Sequence, residues 1–307
     1  MSKKKILILG GSGLVGSSLT RHFNNKNDSY QVFSSTRKDA DLFNIDDTYN
    51  LISNFNPDIL INAAAKVGGI YANNTYRTNF IIENLKINLN VLESCIKFPN
   101  IKIINLGSSC IYPLNAKNPI KEVEIMNGKL EPTNSPYAMA KLTAIEIANA
   151  MNLEHGHKII NLMPTNLYGP NDNFSEKESH VIPGLIARMH KAKINSENEF
   201  EVWGSGEALR EFLFVDDLSN CIEYIINKNI NEDLINVGSG DEISIKNLAK
   251  KISEIIEYSG NLLFDDSKPS GNPRKMLDSS IINSYGWESE TNLDLGLEKT
   301  YKWFLDK

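Results

Sequence analysis

Tyr137 and Lys141 stand four residues apart in "SPYAMAKLTAIEIANA" (135–150), so a helix makes them neighbours on one face. A positioned ammonium lowers a phenol's pKa from about 10. Such a tyrosine can give its proton to a carbonyl oxygen while hydride arrives at the carbon. A serine at a strand end can hydrogen-bond the same oxygen, and "LGSSCIYP" (106–113) offers Ser108 and Ser109. Together these groups suit carbonyl reduction. The plain alternatives are an exposed helix pair and small turn residues closing a strand. Pro136 at a helix start and the serine-bearing strand end favour the chemical reading. Cys110, two residues past Ser108, is either a small buried filler or a further reacting group.

Such residues need a scaffold. Aliphatic runs at 5–10, 30–35, 58–65, 101–109 and 158–164 alternate with amphipathic stretches such as 13–24, 75–96 and 136–152. Continuous aliphatic strands separated by helix-length segments predict an α/β fold, a doubly wound parallel sheet of the Rossmann type, with ligands at the carboxyl ends of its strands. From about 169 the rhythm turns polar and turn-rich, which predicts a smaller C-terminal α/β substrate lobe. The expected division is 1–168, with about 213–240 returning to it, and 169–307 mainly for substrate. Within the latter, Ser244 is a candidate N-cap of a helix whose apolar face carries Ile245, Leu248, Ala249, Ile252, Ile255 and Ile256.

Directly after the first strand comes "GGSGLVG": Gly10, Gly11, Ser12, Gly13, Leu14, Val15 and Gly16. Glycines here let the backbone turn tightly and approach a pyrophosphate at a helix N-terminus. A bare glycine turn is the alternative, but the position between strand and helix favours a dinucleotide. The second strand ends "SSTRKDADL", with Arg37 where an NAD site usually carries an acidic residue. Arg37 can pair with a 2′-phosphate, which favours NADP(H) over NAD(H), although a solvated surface charge is the alternative. Asp39 and Asp41 are read as turn caps or adenine contacts.

The 307 residues carry 41% hydrophobic and 23% charged side chains and a net charge of −6, which gives no electrostatic case for nucleic acid. "MSKKK" precedes only a short apolar run, and no stretch approaches a membrane span. Cys95, Cys110 and Cys221 show neither disulfide nor zinc spacing, and no metal is expected. The reading is a soluble, cytoplasmic protein. Cys95 and Cys221 are read as packing residues, and His22, His155, His157 and His190 as solvated.

The glycine loop, the serine-bearing strand end and Y-x-x-x-K resemble those of extended short-chain dehydrogenase/reductases. Blocks at 62–76, 106–113, 130–141, 163–174, 179–190, 202–217, 235–240 and 267–278 resemble, more narrowly, members that act on GDP-4-keto-6-deoxy sugars. They cover nearly the whole chain. The resemblance implies NADPH-dependent reduction of the C4 ketone with 3,5-epimerisation, giving GDP-L-fucose or a close relative. It assigns Ser108, Tyr137 and Lys141 to reduction and Cys110 and His180 to an epimerisation acid/base pair. Ala64, Leu106, Gly107, Pro164, Thr165, Asn166 and Leu167 fall beside the cofactor, with Lys141 and His180. Ser109, Asn166, Arg188, Trp203, Arg210, Lys275 and Asp278 fall on the GDP-sugar. Ser12 stands where some members have a basic residue, so the 2′-phosphate would rest more on Arg37. A homodimer through 75–96 and 136–152 is also implied. Two other readings stay open: a reductase that does not epimerise, acting on a related sugar such as a 6-deoxy-heptose, and a non-catalytic NADP-binding sensor.

Overall fold

A computed structural model describes residues 3–267 and 272–307. The first half alternates strand and helix: β1 (Lys4–Leu9), α1 (Leu14–Asn24), β2 (Tyr30–Ser35), α2 (Ile45–Phe55), β3 (Ile59–Asn62), α3 (Ile70–Thr75), α4 (Arg77–Cys95), β4 (Lys102–Leu106), α5 (Ser135–His155) and β5 (Lys158–Pro164). The second half adds β6 (Asn166–Tyr168), α6 (Val181–Ile194), β7 (Glu199–Trp203), β8 (Leu209–Phe214), α7 (Val215–Asn227), β9 (Leu234–Val237), β10 (Glu242–Ser244), α8 (Ile245–Ile256), β11 (Asn261–Asp265), β12 (Arg274–Lys275), α9 (Ser280–Ser284) and α10 (Leu293–Leu305). No helix among the described residues is long and apolar enough to cross a membrane.

Six strands form the main sheet in the order β2-β1-β3-β4-β5-β9, every pair parallel. Both faces are covered, which is why the strands read as unbroken aliphatic runs. On β1, Ile6 and Ile8 pack with Leu19 and Phe23 of α1 and Leu218 and Ile222 of α7. Leu7 and Leu9 point the other way, toward Ile52, Val91, Leu92, Ala144 and Ala148 on α2, α4 and α5. The period-2 alternation of strand side chains thus builds two cores from one run. Strand order reverses between β1 and β3, so a crevice opens at their carboxyl ends.

The register across β3, β4 and β5 places Asn62, Asn105 and Asn161 side by side in the buried sheet. Asn62 Nδ2 donates to Asn105 Oδ1 at 3.1 Å, and Asn105 Nδ2 to Asn161 Oδ1 at 3.0 Å. Asn62 Nδ2 also reaches Asn88 of α4 at 3.1 Å. These amides pair with one another where water is excluded, although among the described residues Asn62 Oδ1 and Asn88 Nδ2 keep no partner.

The second lobe is built on β10-β8-β12, with β6 also pairing β8, and on the β7–β11 pair. Its core joins Ile182, Leu185, Ile186 and Met189 of α6 to Phe200, Val202, Leu248 and Ile252. Ser244 caps α8 by accepting from Asn247 N–H at 3.2 Å. The lobes are tied together by Glu211, which is fully buried. Its carboxylate accepts from Gly240 N–H at 2.9 Å and Leu277 N–H at 3.0 Å, and its backbone carbonyl accepts from Asn166 Nδ2 at 2.8 Å.

Candidate active site

A cavity of about 470 Å³ lies between the lobes. The main sheet with its turns and covering helices contributes Gly13, Leu14, Val15, Leu106, Gly107, Ser108, Ser109, Cys110, Tyr137, Lys141, Pro164 and Thr165 to its wall, and β6 contributes Asn166 and Leu167. The second lobe contributes His180, Arg188, Trp203, Arg210 and Lys275.

Ser108 closes β4 with an extended backbone and caps the short 3₁₀ turn Ser109–Ile111, its Oγ accepting from Cys110 N–H at 3.3 Å. Asn134, Ser135 and Pro136 start α5, so Tyr137 lies on its first turn and Lys141 one turn later. The loop before α5 is pinned by Glu131, whose Oε2 accepts from Thr133 N–H (3.1 Å), Thr133 Oγ1 (2.6 Å) and Asn134 N–H (3.1 Å). Lys141 is 2% exposed; its Nζ donates to the Leu106 carbonyl at 2.6 Å and stands 5.8 Å from the Tyr137 ring centre. Burial lowers the Lys141 pKa to about 8. Burial raises that of Tyr137, while the Ser108 hydroxyl bonded to it acts the other way. The geometry is that of a phenol and a hydroxyl converging beside a buried ammonium, able to meet one oxygen.

Cys110 faces the same space. Burial pushes its thiol up, against the opposing pull of Lys275, Ser108 and Lys141. His180 is the N-cap residue of α6 but uses only its backbone there. Its imidazole opens onto the cavity, and the protein packed around it lowers its pKa by desolvation. The two titratable groups therefore reach one cavity from different lobes.

At the far end, Arg188 Nη1 donates to the Glu201 carbonyl at 3.2 Å, and its guanidinium lies 5.2 Å from the Phe200 ring and 5.5 Å from Trp203. Trp203, 42% exposed, leaves an indole face open. Arg210 donates to the Leu209 carbonyl at 2.8 Å and faces Lys275 across the β8–β12 pairing. This half of the cavity offers cations and an aromatic face, which suit a diphosphate and a ring.

A dinucleotide fits the other half. Gly10 has φ +82°, and a Cβ there would stand 2.8 Å from Ala64 Cα. A Cβ on Gly16 would stand 2.1 Å from the Gly10 carbonyl. Only glycines let the loop pack this tightly beneath the N-terminus of α1. Gly10, Gly11, Gly16 and Ala64 form this support, and neither they nor Ser12 form the cavity wall itself. Arg37 lies exposed past the end of β2, its charge acting on Glu83, which pairs with Lys66 at 2.8 Å. Asp39 accepts from Thr36 N–H and Oγ1, both at 2.8 Å, and Asp41 from Phe43 N–H at 3.0 Å, so both cap turns.

Asp278 is not brought to the cavity. Its carboxylate accepts from Ser280 N–H at 2.9 Å at the start of α9, and the Ser280 hydroxyl, with that N–H, holds its pKa down. Of the block at 267–278, residues 268–271 lie outside the described residues. Nor are all the remaining histidines solvated. His157 is buried, His22 pairs with Glu223 at 2.8 Å, and His190 Nδ1 bonds Tyr301 Oη at 2.8 Å.

Two carboxylates escape a reading by motif. Glu211 is the inter-lobe clamp. Asp172 lies in the cavity wall, 7% exposed, with Oδ1 accepting from Asn173 N–H at 2.7 Å and Oδ2 without a hydrogen-bond partner among the described residues. Burial raises its pKa to about 7. An acid directly after Gly-Pro-Asn reads as a turn residue, and no spacing in the sequence sets it apart.

A parallel sheet with a glycine turn at its switch point, a second lobe over it and a Ser–Tyr–Lys group between them define an extended short-chain dehydrogenase/reductase. The chain belongs to the NAD dependent epimerase/dehydratase family, which matches residues 6–238. It is 44% identical to GDP-L-fucose synthase 1 of Arabidopsis thaliana, over 98% of this chain and 93% of that protein. Among solved structures it resembles a GDP-6-OMe-4-keto-L-xylo-heptose reductase from C. jejuni (TM-score 0.92, 30% identity, 100% of this chain and 99% of that one). It also resembles an NADP-bound GDP-L-fucose synthetase from Naegleria fowleri (TM-score 0.90, 28% identity, 100% and 95%).

Proposed function

We propose that this protein reduces the C4 ketone of a GDP-4-keto-6-deoxy sugar with NADPH and epimerises C3 and C5, giving GDP-L-fucose or a close relative. The observation that carries this reading is the meeting, in one inter-lobe cavity, of Ser108, Tyr137 and Lys141 with Cys110 and His180. NADP(H), when bound along the glycine loop, supplies hydride to the ketone carbon. Ser108 and Tyr137 hold the ketone oxygen, and Tyr137 gives it a proton as the alcohol forms. Lys141, charged below about pH 8 and fixed on Leu106, favours proton loss from the phenol.

The same oxygen contacts stabilise an enolate, which is what epimerisation needs. A proton leaves the carbon beside the ketone on one face and another returns on the opposite face, so two exchanging groups are required. Cys110 and His180 supply them. Arg188, Arg210 and Lys275 take the diphosphate, and Trp203 takes a ring. Arg37 is the residue assigned to the 2′-phosphate. The likeness to the C. jejuni heptose reductase keeps a second reading, reduction of a related GDP-4-keto sugar without epimerisation.

Reaction in deuterium oxide separates the two. Deuterium at C3 and C5 of the reduced product supports the first reading, and a reduced product without it sinks that reading in favour of the second. The three cysteines are free thiols, in keeping with a cytoplasmic setting. Ile82 and Leu89 on α4 and Met139 on α5 are exposed apolar side chains, which supports pairing of two copies through these helices.

A further inference from the structure

Tyr137 lies on the first turn of α5, and a helix frays at its first turn unless the free N–H groups there are capped. Asn134 is well suited to that task by type. Yet its side chain makes no cap bond, and its Oδ1 is buried without a hydrogen-bond partner among the described residues. The start of α5 is held from outside the helix instead.

Glu131 takes one side of this entry loop through the N–H groups of Thr133 and Asn134. Arg77, the first residue of α4, takes the other. Its Nη1 donates to the Pro132 carbonyl at 2.8 Å and to the Thr133 carbonyl at 3.3 Å, and its Nη2 to Ser135 Oγ at 3.2 Å. A planar fork of donors fixes position and direction at once, which a lysine ammonium does not. A cation on a first turn stands against the helix dipole, and no acidic side chain shares that turn with Arg77. What favours the guanidinium there is the row of oxygens it meets before α5.

The same face of α4 continues inward. Phe80, three residues on and 1% exposed, sets its ring edge-to-face with Tyr137 at 6.3 Å between centres. Asn84, a turn further, donates to the Lys66 carbonyl at 3.0 Å and accepts from Lys66 N–H at 2.9 Å. Residues 77, 80 and 84 lie on one stripe of the helix. That stripe braces two walls of the cavity: the loop after β3, with Ala65 and Val67, and the entry to α5, with Glu131, Thr133, Asn134 and Tyr137.

We propose that Arg77 is a positioning residue for Tyr137: reaching from α4, it replaces the missing cap of α5 and fixes the phenol where it meets the ketone oxygen. Arg77 acts through residues 132–135 and is not part of the cavity wall. The kinetic consequence rests on the reductase reading above, and the effect on the loop does not.

Hydrogen–deuterium exchange of the full-length protein, followed by mass spectrometry of peptides across 130–141, reads the loop without any substrate. Ala138 N–H donates to the Asn134 carbonyl across the first turn and reports on it directly. In Arg77→Met the amides of Thr133, Asn134 and Ala138 should exchange about tenfold faster, while those of β4 keep their parent rates. Steady-state reduction reads the chemistry. There kcat should fall about 30-fold, with the KM of the keto sugar and the affinity for NADPH within about twofold of the parent. Fluorescence titration of NADPH counts folded sites, so that misplacement is told from loss of folded protein. Arg77→Lys, which keeps the charge without the fork, should recover part of both effects. Unchanged exchange in Arg77→Met, an unchanged kcat, a kcat loss matched by lost NADPH sites, or no recovery in Arg77→Lys would each overturn the proposal. Arg77→Gln provides the same comparison if the Met variant does not fold. A parent protein that reduces no GDP-4-keto sugar overturns the functional reading and leaves the exchange result standing.

Discussion

Lys141 is bonded to the carbonyl of Leu106, on the strand that delivers Ser108, and Tyr137 is one helical turn away. His180 hangs from the start of α6 in the other lobe, and among the described residues its ring bonds to nothing. The reducing group is thus assembled within one parallel sheet and its covering helix, whereas the proton-exchanging pair is split across two lobes. Elements that share a core move together, while inter-lobe geometry depends on fewer ties. The difference teaches that reduction should tolerate lobe displacement and epimerisation should not.

Tyr137→Phe gives the largest effect, a loss of about 10³-fold in reduction, with deuterium exchange into the keto sugar slowed far less because Ser108 still holds the enolate oxygen. Equal loss of both would break the comparison. Glu211→Ala strands Gly240 and Leu277 N–H groups and should lower stability by about 3 kcal/mol in urea unfolding. At concentrations of urea that leave the sheet folded, exchange should fail before reduction. His180→Asn should cut deuterium wash-in about 10²-fold while reduction of an already epimerised keto sugar stays within a few-fold.

Asp172 and Lys141 sharpen the picture through pH. The Asp172 carboxyl is raised to about 7, so the folded state binds its proton more tightly than the unfolded chain does. Its contribution to stability is present below about pH 4 and is lost as pH rises through 7. Asp172→Asn should therefore raise stability by about 2 kcal/mol at pH 8 and by little at pH 4, measured as melting temperatures. Lys141 is lowered to about 8, so its ammonium is lost above that pH. Reduction should decline by about fivefold between pH 8 and 9, and Lys141→Arg should remove the decline in whatever activity it retains.

Much of this was legible in the residues themselves. Aliphatic runs, the glycine turn and the four-residue step from Tyr137 to Lys141 are local patterns, and the parallel sheet and the convergence of Ser108 with both follow from them. Ser244 was legible as a cap because capping is local too. The three-residue β6 is too short to show a period and is plain only in three dimensions. Glu211, Asp172 and His157 are single buried polar groups, and a lone polar residue carries no period that could mark it as interior. Asp278 shows the reverse error: a residue inside a recognisable block turns its carboxylate to a helix start, away from the ligand space. Resemblance locates a segment, whereas the side chain's direction is set by the contacts around it.

The row of amides through Asn62, Asn105 and Asn161 has a consequence for how finely the chemistry is adjusted. A one-residue slip of any strand would swing its amide to the opposite face and leave the neighbours unpaired, so intermediate alignments are forbidden. The row therefore works as a vernier. It indexes three strands whose next few residues, Ala63 and Ala65 after β3, Gly107 and Ser108 after β4, and Pro164 to Asn166 at the end of β5, all border the cavity. The tolerance of the reacting groups is cut a few residues upstream of them, inside the sheet, by side chains that never meet the sugar.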